Sequence, residues 1–489
     1  APTNAHWTRR IVPDDVLLFR YSALTFNGHR IHYDQPYARD EEGYPGLVVH
    51  GPLQAVWMLN LATQMLGTLP ATFRYRGVSP LICGTALASK LRGSNNVGDG
   101  GSSGGGIYSE GDLVLRNVRI FDSHSASLTK PSDIYLLRGK ITAITPTGTL
   151  QTEVAQSIDG KGRIVVPGLF DMHGHLSRWE GPLHLAAGVT TLRDMGNDNA
   201  TLQQMIDEID TDKLLAPTIV PTGFLEGESA FSARNGFVIK DLAEAKNAID
   251  WYAAHGYPQL KIYNSFPKEI LKDTVAYAHS RGLRVSGHVP AFLKAEDVIA
   301  AGFDEIQHIN QLLLNFLVKP DTDTRTLERF YLPAKQVADL DLQSKKVQDF
   351  IKLLKDNNLS VDPTLATFDF LKKVDGTVGE PWRAIVKNLP PDVQRGYARA
   401  ELDIPDDATA ARYAKSYAKM VEFVGMMYKA GIPVVAGTDE LAGFTLQGEL
   451  ELLVKAGLTP AQALQVATLN GARYSKVEAS KGSIEVGKD

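Results

Sequence analysis

The chain has 489 residues, 44% of them hydrophobic, and a formal net charge of −5. That is ample apolar material for a large core, and the length sets a prior of about three domains. The charge balance, without a basic cluster, gives no support for nucleic-acid binding, and no apolar run approaches the roughly 18 residues that span a membrane.

The lone Cys83 excludes an intrachain disulfide, which fits a reducing compartment without requiring one. No signal-peptide pattern opens the chain. It does not begin with methionine either, which reads as processing, tagging or trimming. The compartment is therefore left open.

The first ninety residues read as strand, long central helix and further strands. RYSALTFNGHRIHYD precedes EEGYPGLVVHGPLQAVWMLNLATQML, a turn and strand leading into an amphipathic helix, and FRYRGVSPLICGTAL supplies more strand material. This pattern, above all YSALTFNGHRIHYD, resembles one half of the MaoC-like acyl-thioester hydratases, including the mesaconyl-CoA type. The resemblance implies an α+β hot-dog fragment over residues 1–92, with its site at Asn27 and His32. In the wider hydratase family an aspartate works with the histidine. Asn27 cannot titrate, so it orients water at most and the acid–base work falls to His32. A remnant without activity is the reading preferred here to an active hydratase.

Residues 93–106, GSNNVGDGGSSGGG, are nearly free of apolar side chains and behave as a flexible linker. Residues 107–165 follow as the leading strands of a small β-sandwich. A natural rearrangement and an engineered fusion explain the junction equally well.

From residue 166 to 470 the pattern changes to short apolar strands separated by helix-like stretches. The candidate strands are RIVVPGLF, VTTLRDM, PTIVPTG, PQLKIY, LRVSGHV, DEIQHIN, LSVDPTL and IPVVAGT. Strands alternating with helices argue for parallel β/α architecture, and eight of them for a (β/α)8 TIM-like barrel. In such a barrel the C-terminal strand ends converge on one face, where catalytic side chains collect.

Five possible metal ligands sit at those ends: His173 and His175 in VVPGLFDMHGHL, His288 in LRVSGHVP, His308 in DEIQHIN and Asp439 in IPVVAGTDE. Residues i and i+2 of a strand point to the same side, so His173 and His175 can clamp one ion. Imidazole and carboxylate ligands suit zinc and similar divalent ions. The chain holds only twelve histidines, and four of them end apolar strands in order. The arrangement reads as a metal-dependent hydrolase, with Lys261 in PQLKIY as a sixth candidate.

VPGLFDMHGH, the lysine on the fourth strand, the single histidines on the fifth and sixth and GTD on the eighth resemble the amidohydrolase superfamily. Its imidazolonepropionase-like and Xaa-Pro-dipeptidase-like members are the nearest in pattern. Carried onto this chain, the resemblance implies two divalent ions, with zinc the best match. His173, His175 and Asp439 would hold one and His288 and His308 the other. Lys261, carboxylated by CO2, would bridge them, and a single-ion site without the carbamate is the competing form. Asp439 would be the catalytic proton shuttle for a metal-bridged hydroxide attacking a C–N bond of a small peptide or N-acyl amino acid.

Tyr263 shares the inward face of Lys261 and is a candidate donor to the substrate carbonyl. Asp194 reads as a strand-end cap or as a residue supporting the ligands from behind, and Asn310 and Thr438 carry weaker signals. His184, His255 and His279 read as packing or surface residues. GFLEGESAFSARNG reads as a substrate-facing loop, and residues 311–360 as an insertion over the pocket. Residues 471–489 read as the start of trailing sandwich strands cut short. Lactone, cyclic amide or phosphoester hydrolysis would use the same centre. From other classes, an enoyl-CoA hydratase and an inactive fusion dimerised by its hot-dog half stay open. The expected partners are a small-molecule or peptide substrate, with a homo-oligomer left open.

Overall fold

A computed structural model of the chain describes residues 7–11, 13–25, 27–66, 81–83, 87–91, 113–137, 139–149, 156–440 and 442–489. The linker over 93–106 and most of FRYRGVSPLICGTAL lie outside the described residues. Two compact units result: residues 1–118 with 131–163 and 388–390, and residues 119–130 with 164–387 and 391–489.

In the first unit, β1 (Trp7–Ile11) pairs antiparallel with β2 (Leu87–Leu91). The long helix expected in the hot-dog fragment is Gly51–Leu66, and it packs on β2. Leu18, Ile31, Ala38, Leu47, Val49 and Leu53 bury together as its core. The strand expected just before that helix is reduced to a single bridge, Val48 to Ile82. A helix over Asp15–Leu24 was not anticipated. It buries Leu18 and Ser22, four residues apart and so on one helical face. The same unit holds β3 (Leu113–Ile120) as far as Val118, β4 (Ser132–Leu137), β5 (Lys140–Pro146) and β6 (Gln156–Asp159), in the order β5-β4-β3-β6.

In the second unit, β7 (Ile164–Val165) pairs with the last two residues of β3. The barrel follows as β8 (Leu169–Gly174), β9 (Val189–Asp194), β10 (Thr218–Gly227), β11 (Phe237–Ile239), β12 (Gln259–Ile262), β13 (Arg284–Gly287), β14 (Glu305–Gln307) and β15 (Ser360–Asp362). Their order is β15-β14-β13-β12-β10-β9-β8, all parallel, with β11 beside β10. Residues 433–436 close the ring. Val361 N–H donates to Pro433 O at 2.9 Å, and Met172 N–H donates to Ala436 O at 2.8 Å.

The fold is therefore a (β/α)8 barrel with small-sheet strands and an N-terminal hydratase-like segment. RIVVPGLF, read as one strand, is two. Pro167 lacks the N–H that a continuous ladder needs, so β7 joins the small sheet and β8 alone enters the barrel. Several helices of this unit start on side-chain caps that satisfy free N–H groups. Asp198, for instance, accepts from Thr201 N at the helix Asn199–Asp210. Residues 475–489 form turns and no strand, so the trailing strands expected there do not begin within the described residues. No helix among the described residues is long and apolar enough to cross a membrane.

Candidate metal centre

The barrel ends bring His173, His175, Lys261, His288, His308 and Asp439 to one place. Lys261 Nζ lies 3.0 Å from His173 Nε2. Asp439 Oδ1 lies 3.3 Å from His175 Nε2 and 3.8 Å from His173 Nε2, and Asp439 Oδ2 lies 3.7 Å from His308 Nε2. The His308 ring centroid is 4.7 Å from those of both His173 and His288. His173, His175 and Asp439 each offer a ligand atom within 4.8 Å of the others.

The orientation of the imidazoles is the more informative observation. His173 Nδ1 is held by Asp362 Oδ2 at 2.8 Å and His175 Nδ1 by Gly196 O at 2.6 Å. His288 Nδ1 is held by Asn264 Oδ1 at 2.8 Å and His308 Nδ1 by Thr364 Oγ1 at 2.7 Å. With Nδ1 tethered behind, each ring keeps Nε2 for a ligand, the arrangement that metal-binding histidines use. His288 Nε2 is buried with no hydrogen-bond partner. A buried nitrogen left that way is costly unless an ion takes it, so the donor set fits divalent metal.

Charge agrees. Burial holds His173 and His288 well below the usual imidazole range and brings His308 down to about 3. His175 moves the other way: burial opposes protonation, but its hydrogen bond to Asp439 prevails. Burial works against the Asp439 carboxylate too, yet His175, His308 and Lys261 hold it down at about 2. Burial lowers Lys261 to about 8, against the pull of Asp439 and Asp362.

The motifs around the ligands have mechanical reasons. A Cβ at Gly437 would lie 2.3 Å from Asp362 Oδ1 and 2.6 Å from His173 Cβ, so only glycine fits before Thr438 and Asp439. At Gly287, before His288, φ is +140° and a Cβ would meet Ile262 O at 2.1 Å. Asp171 ties the first strand to the last, accepting Thr438 Oγ1 at 2.7 Å and the N–H groups of Thr438 and His173, each at 3.1 Å. His308, Thr364 and Asp439 have φ of +68°, +45° and +52°, a region that side chains rarely adopt.

Beneath the ligands lies a buried charge layer. Arg193 donates to Glu305 Oε1 at 2.7 Å and Oε2 at 3.1 Å, to Met172 O at 2.6 Å and to Asp362 at 3.4 Å. Asp362, Asn264, Thr364 and Asp171 all escaped assignment in the sequence. The signal for Asp362 was its place in LSVDPTL, at the end of the seventh strand.

Asp194 caps its strand end as expected, accepting from Leu176 N at 2.8 Å and Gly196 N at 3.1 Å. Tyr263 lies 4.2 Å from the His288 ring. Asn310 donates instead to Arg329 O at 3.1 Å. Of the histidines set aside, His255 stacks on Trp251 and His279 pairs with Asp304, while His184 is buried. In the first unit, His32 is buried, donates through Nδ1 to Val48 O at 2.7 Å and stacks at 3.7 Å on His50. Asn27 accepts from His29 N at 3.1 Å.

The loop after β10 is anchored by Glu226, which is fully buried and accepts from Ser265 N at 2.7 Å and Gly227 N at 2.9 Å. Burial pushes this carboxyl up to about 7 from its ordinary 4.5. Between those values the folded chain keeps a proton that the unfolded chain releases, so stability falls as pH rises through that window. Glu226→Gln is expected to flatten the fall in urea midpoints measured between pH 5 and 7. Parallel curves for the two proteins would show that Glu226 does not titrate there.

Comparison with known proteins places both parts. Residues 1–83 match the family "Hydroxyacyl-thioester dehydratase type 2". The segment is 58% identical over 80 residues to a mesaconyl-C(4)-CoA hydratase of Chloroflexus aurantiacus, matching 16% of this chain and 29% of that protein. An imidazolonepropionase of Photorhabdus laumondii is 34% identical over 103 residues, 19% of this chain and 25% of that protein. The chain thus spans less than a third of each of these curated relatives. A solved Xaa-Pro dipeptidase with methionine bound in its active site shares the fold, with a TM-score of 0.54 and 19% identity over 77% of this chain and 92% of that one. Residues 164–489, which carry all six converging candidate residues, match the amidohydrolase family, and the chain belongs to it.

Proposed function

We propose that this chain hydrolyses a C–N bond in a small peptide or N-acyl amino acid on a two-ion centre. The observation that carries the reading is the four imidazoles tethered through Nδ1, whose Nε2 atoms are left for ligation beside Asp439 and Lys261. When bound, divalent ions, zinc suiting the donors best, polarise a carbonyl and lower the pKa of water towards roughly 7.

The protein supplies the proton traffic. Asp439, kept ionised by its neighbours, accepts the proton of the attacking water and later delivers it to the leaving amine. Lys261, lowered to about 8, has a usable neutral fraction near pH 7. Its Nζ adds to CO2 and releases one proton, leaving a carbamate as a further anionic ligand. Burial keeps the Tyr263 phenol protonated, so it serves as a donor to the substrate carbonyl.

Metal content of unchelated, folded protein is the direct test, read by plasma mass spectrometry with a panel of dipeptides and N-acyl amino acids assayed alongside. About two ions per chain, with turnover, is the expected result. One ion would reduce Lys261 to a structural role. None would sink the hydrolase reading.

A further inference from the structure

We infer that Phe231, Phe292 and Arg325 form a stacking rim at the barrel mouth, and that the preferred substrate carries a flat aromatic acyl group that lies on it. This rests on the hydrolase reading above, but on residues outside its ligand set.

Phe292 is held where a bulky side chain is out of place. Leu293 N donates to Pro290 O at 3.2 Å, closing a turn with Ala291 and Phe292 at its centre. At Phe292 φ is +67°, a conformation that the second central position of a turn normally gives to glycine or asparagine. Backbone outliers of this kind gather at functional sites. The strain is not repaid by burial, since Phe292 is 42% exposed. Phe231, in the loop after β10, is 51% exposed. The two rings meet through Arg325 of the insertion, whose guanidinium carbon lies 5.2 Å from the Phe231 centroid and 5.3 Å from that of Phe292. Asp323 takes the guanidinium N–H groups at 2.8 and 2.7 Å, which leaves the faces of the cation to the rings.

Three loops build this rim, and β10, β13 and β14 release them at the ligand-bearing end of the barrel. Phe292 is four residues past His288. Ala291 N donates to Asn264 O at 2.9 Å, and Asn264 Oδ1 is the atom that holds His288 Nδ1 at 2.8 Å. Phe231 N donates to Ser229 Oγ at 3.0 Å, and Ser229 Oγ donates at 2.8 Å to Ser265 Oγ, the residue after Asn264. Both rings are therefore fixed to the segment that orients a candidate ligand, and the rim is continuous with the centre. Two exposed rings around a paired guanidinium offer π faces and few free donors. Such a surface selects a flat apolar group by stacking rather than a small acyl group.

The test uses the full chain, freed of metal by a chelator so that nothing is turned over, and titration calorimetry with N-naphthoyl-L-leucine and N-acetyl-L-leucine. The naphthoyl compound should bind at least about tenfold more tightly, on the order of what stacking one aromatic face adds. Phe231→Ser combined with Phe292→Asn should remove that advantage without lowering the urea midpoint, because both rings are exposed and asparagine accepts the turn. In turnover by the zinc-loaded chain, the double variant should raise KM for the naphthoyl compound and leave that for the acetyl compound unchanged. A variant that keeps the advantage, or a wild type that binds the two equally, overturns the inference. Light scattering that shows a dimer dissolved by the double substitution overturns it as well, since the rings then face a second copy. A preference that the variant removes, with neither compound hydrolysed by the zinc-loaded chain, leaves the rim standing and removes the hydrolase reading.

Discussion

Asp439→Asn is expected to lower kcat/KM for the best dipeptide or N-acyl amino acid by at least about 10³-fold, with little change in the unfolding midpoint. The size follows from removing a positioned proton carrier, worth about 10² to 10⁴, together with one anionic metal ligand. The substitution isolates chemistry because asparagine, like aspartate, tolerates the left-handed backbone at φ +52°. The amide can still face His175 but cannot accept a proton. Alanine at this site would add a backbone penalty and blur the result. Activity within tenfold of wild type, measured with metal content in parallel, would assign the proton transfer to another group.

The second large effect concerns stability. Arg193→Met is expected to cost about 3–5 kcal/mol, the usual consequence of leaving a buried charge without its partner. Glu305 is fully buried, and burial alone would push its carboxyl up; Arg193 and Arg284 hold it down. Removing Arg193 withdraws both hydrogen bonds to Glu305 and the contact with Asp362, which in turn positions His173. Metal content should therefore fall alongside the urea midpoint. The double substitution Arg193→Met, Glu305→Met should recover part of the lost stability, since the Arg193–Glu305 charges leave together while Asp362 and Arg284 each lose one partner. A single variant within about 1 kcal/mol of wild type would show that water or rearrangement compensates the layer.

The sequence made the barrel legible because each strand is a short apolar run ending in a distinctive residue. PQLKIY, LRVSGHV and DEIQHIN became β12, β13 and β14, with Lys261 in the C-terminal half of its strand and His288 and His308 directly after theirs. The last stave was harder: residues 433–436 close the ring through a few bonds and one bridge rather than a regular ladder. Asp362 was visible in LSVDPTL, yet nothing local distinguishes a carboxylate that holds an imidazole from one that caps a turn. The pairing of His32 with His50 was equally hidden, since eighteen residues and a helix separate them in the chain.

His308 and Thr364 occupy backbone conformations that glycine would adopt at less cost, each adding a strain of about 1 kcal/mol or more. Foldability alone would disfavour an imidazole at 308, because glycine relaxes the chain there. Fold and the proposed chemistry therefore pull position 308 in opposite directions, which its burial alone does not reveal. The barrel rim is where that opposition can be read from a single sequence once its geometry is in hand.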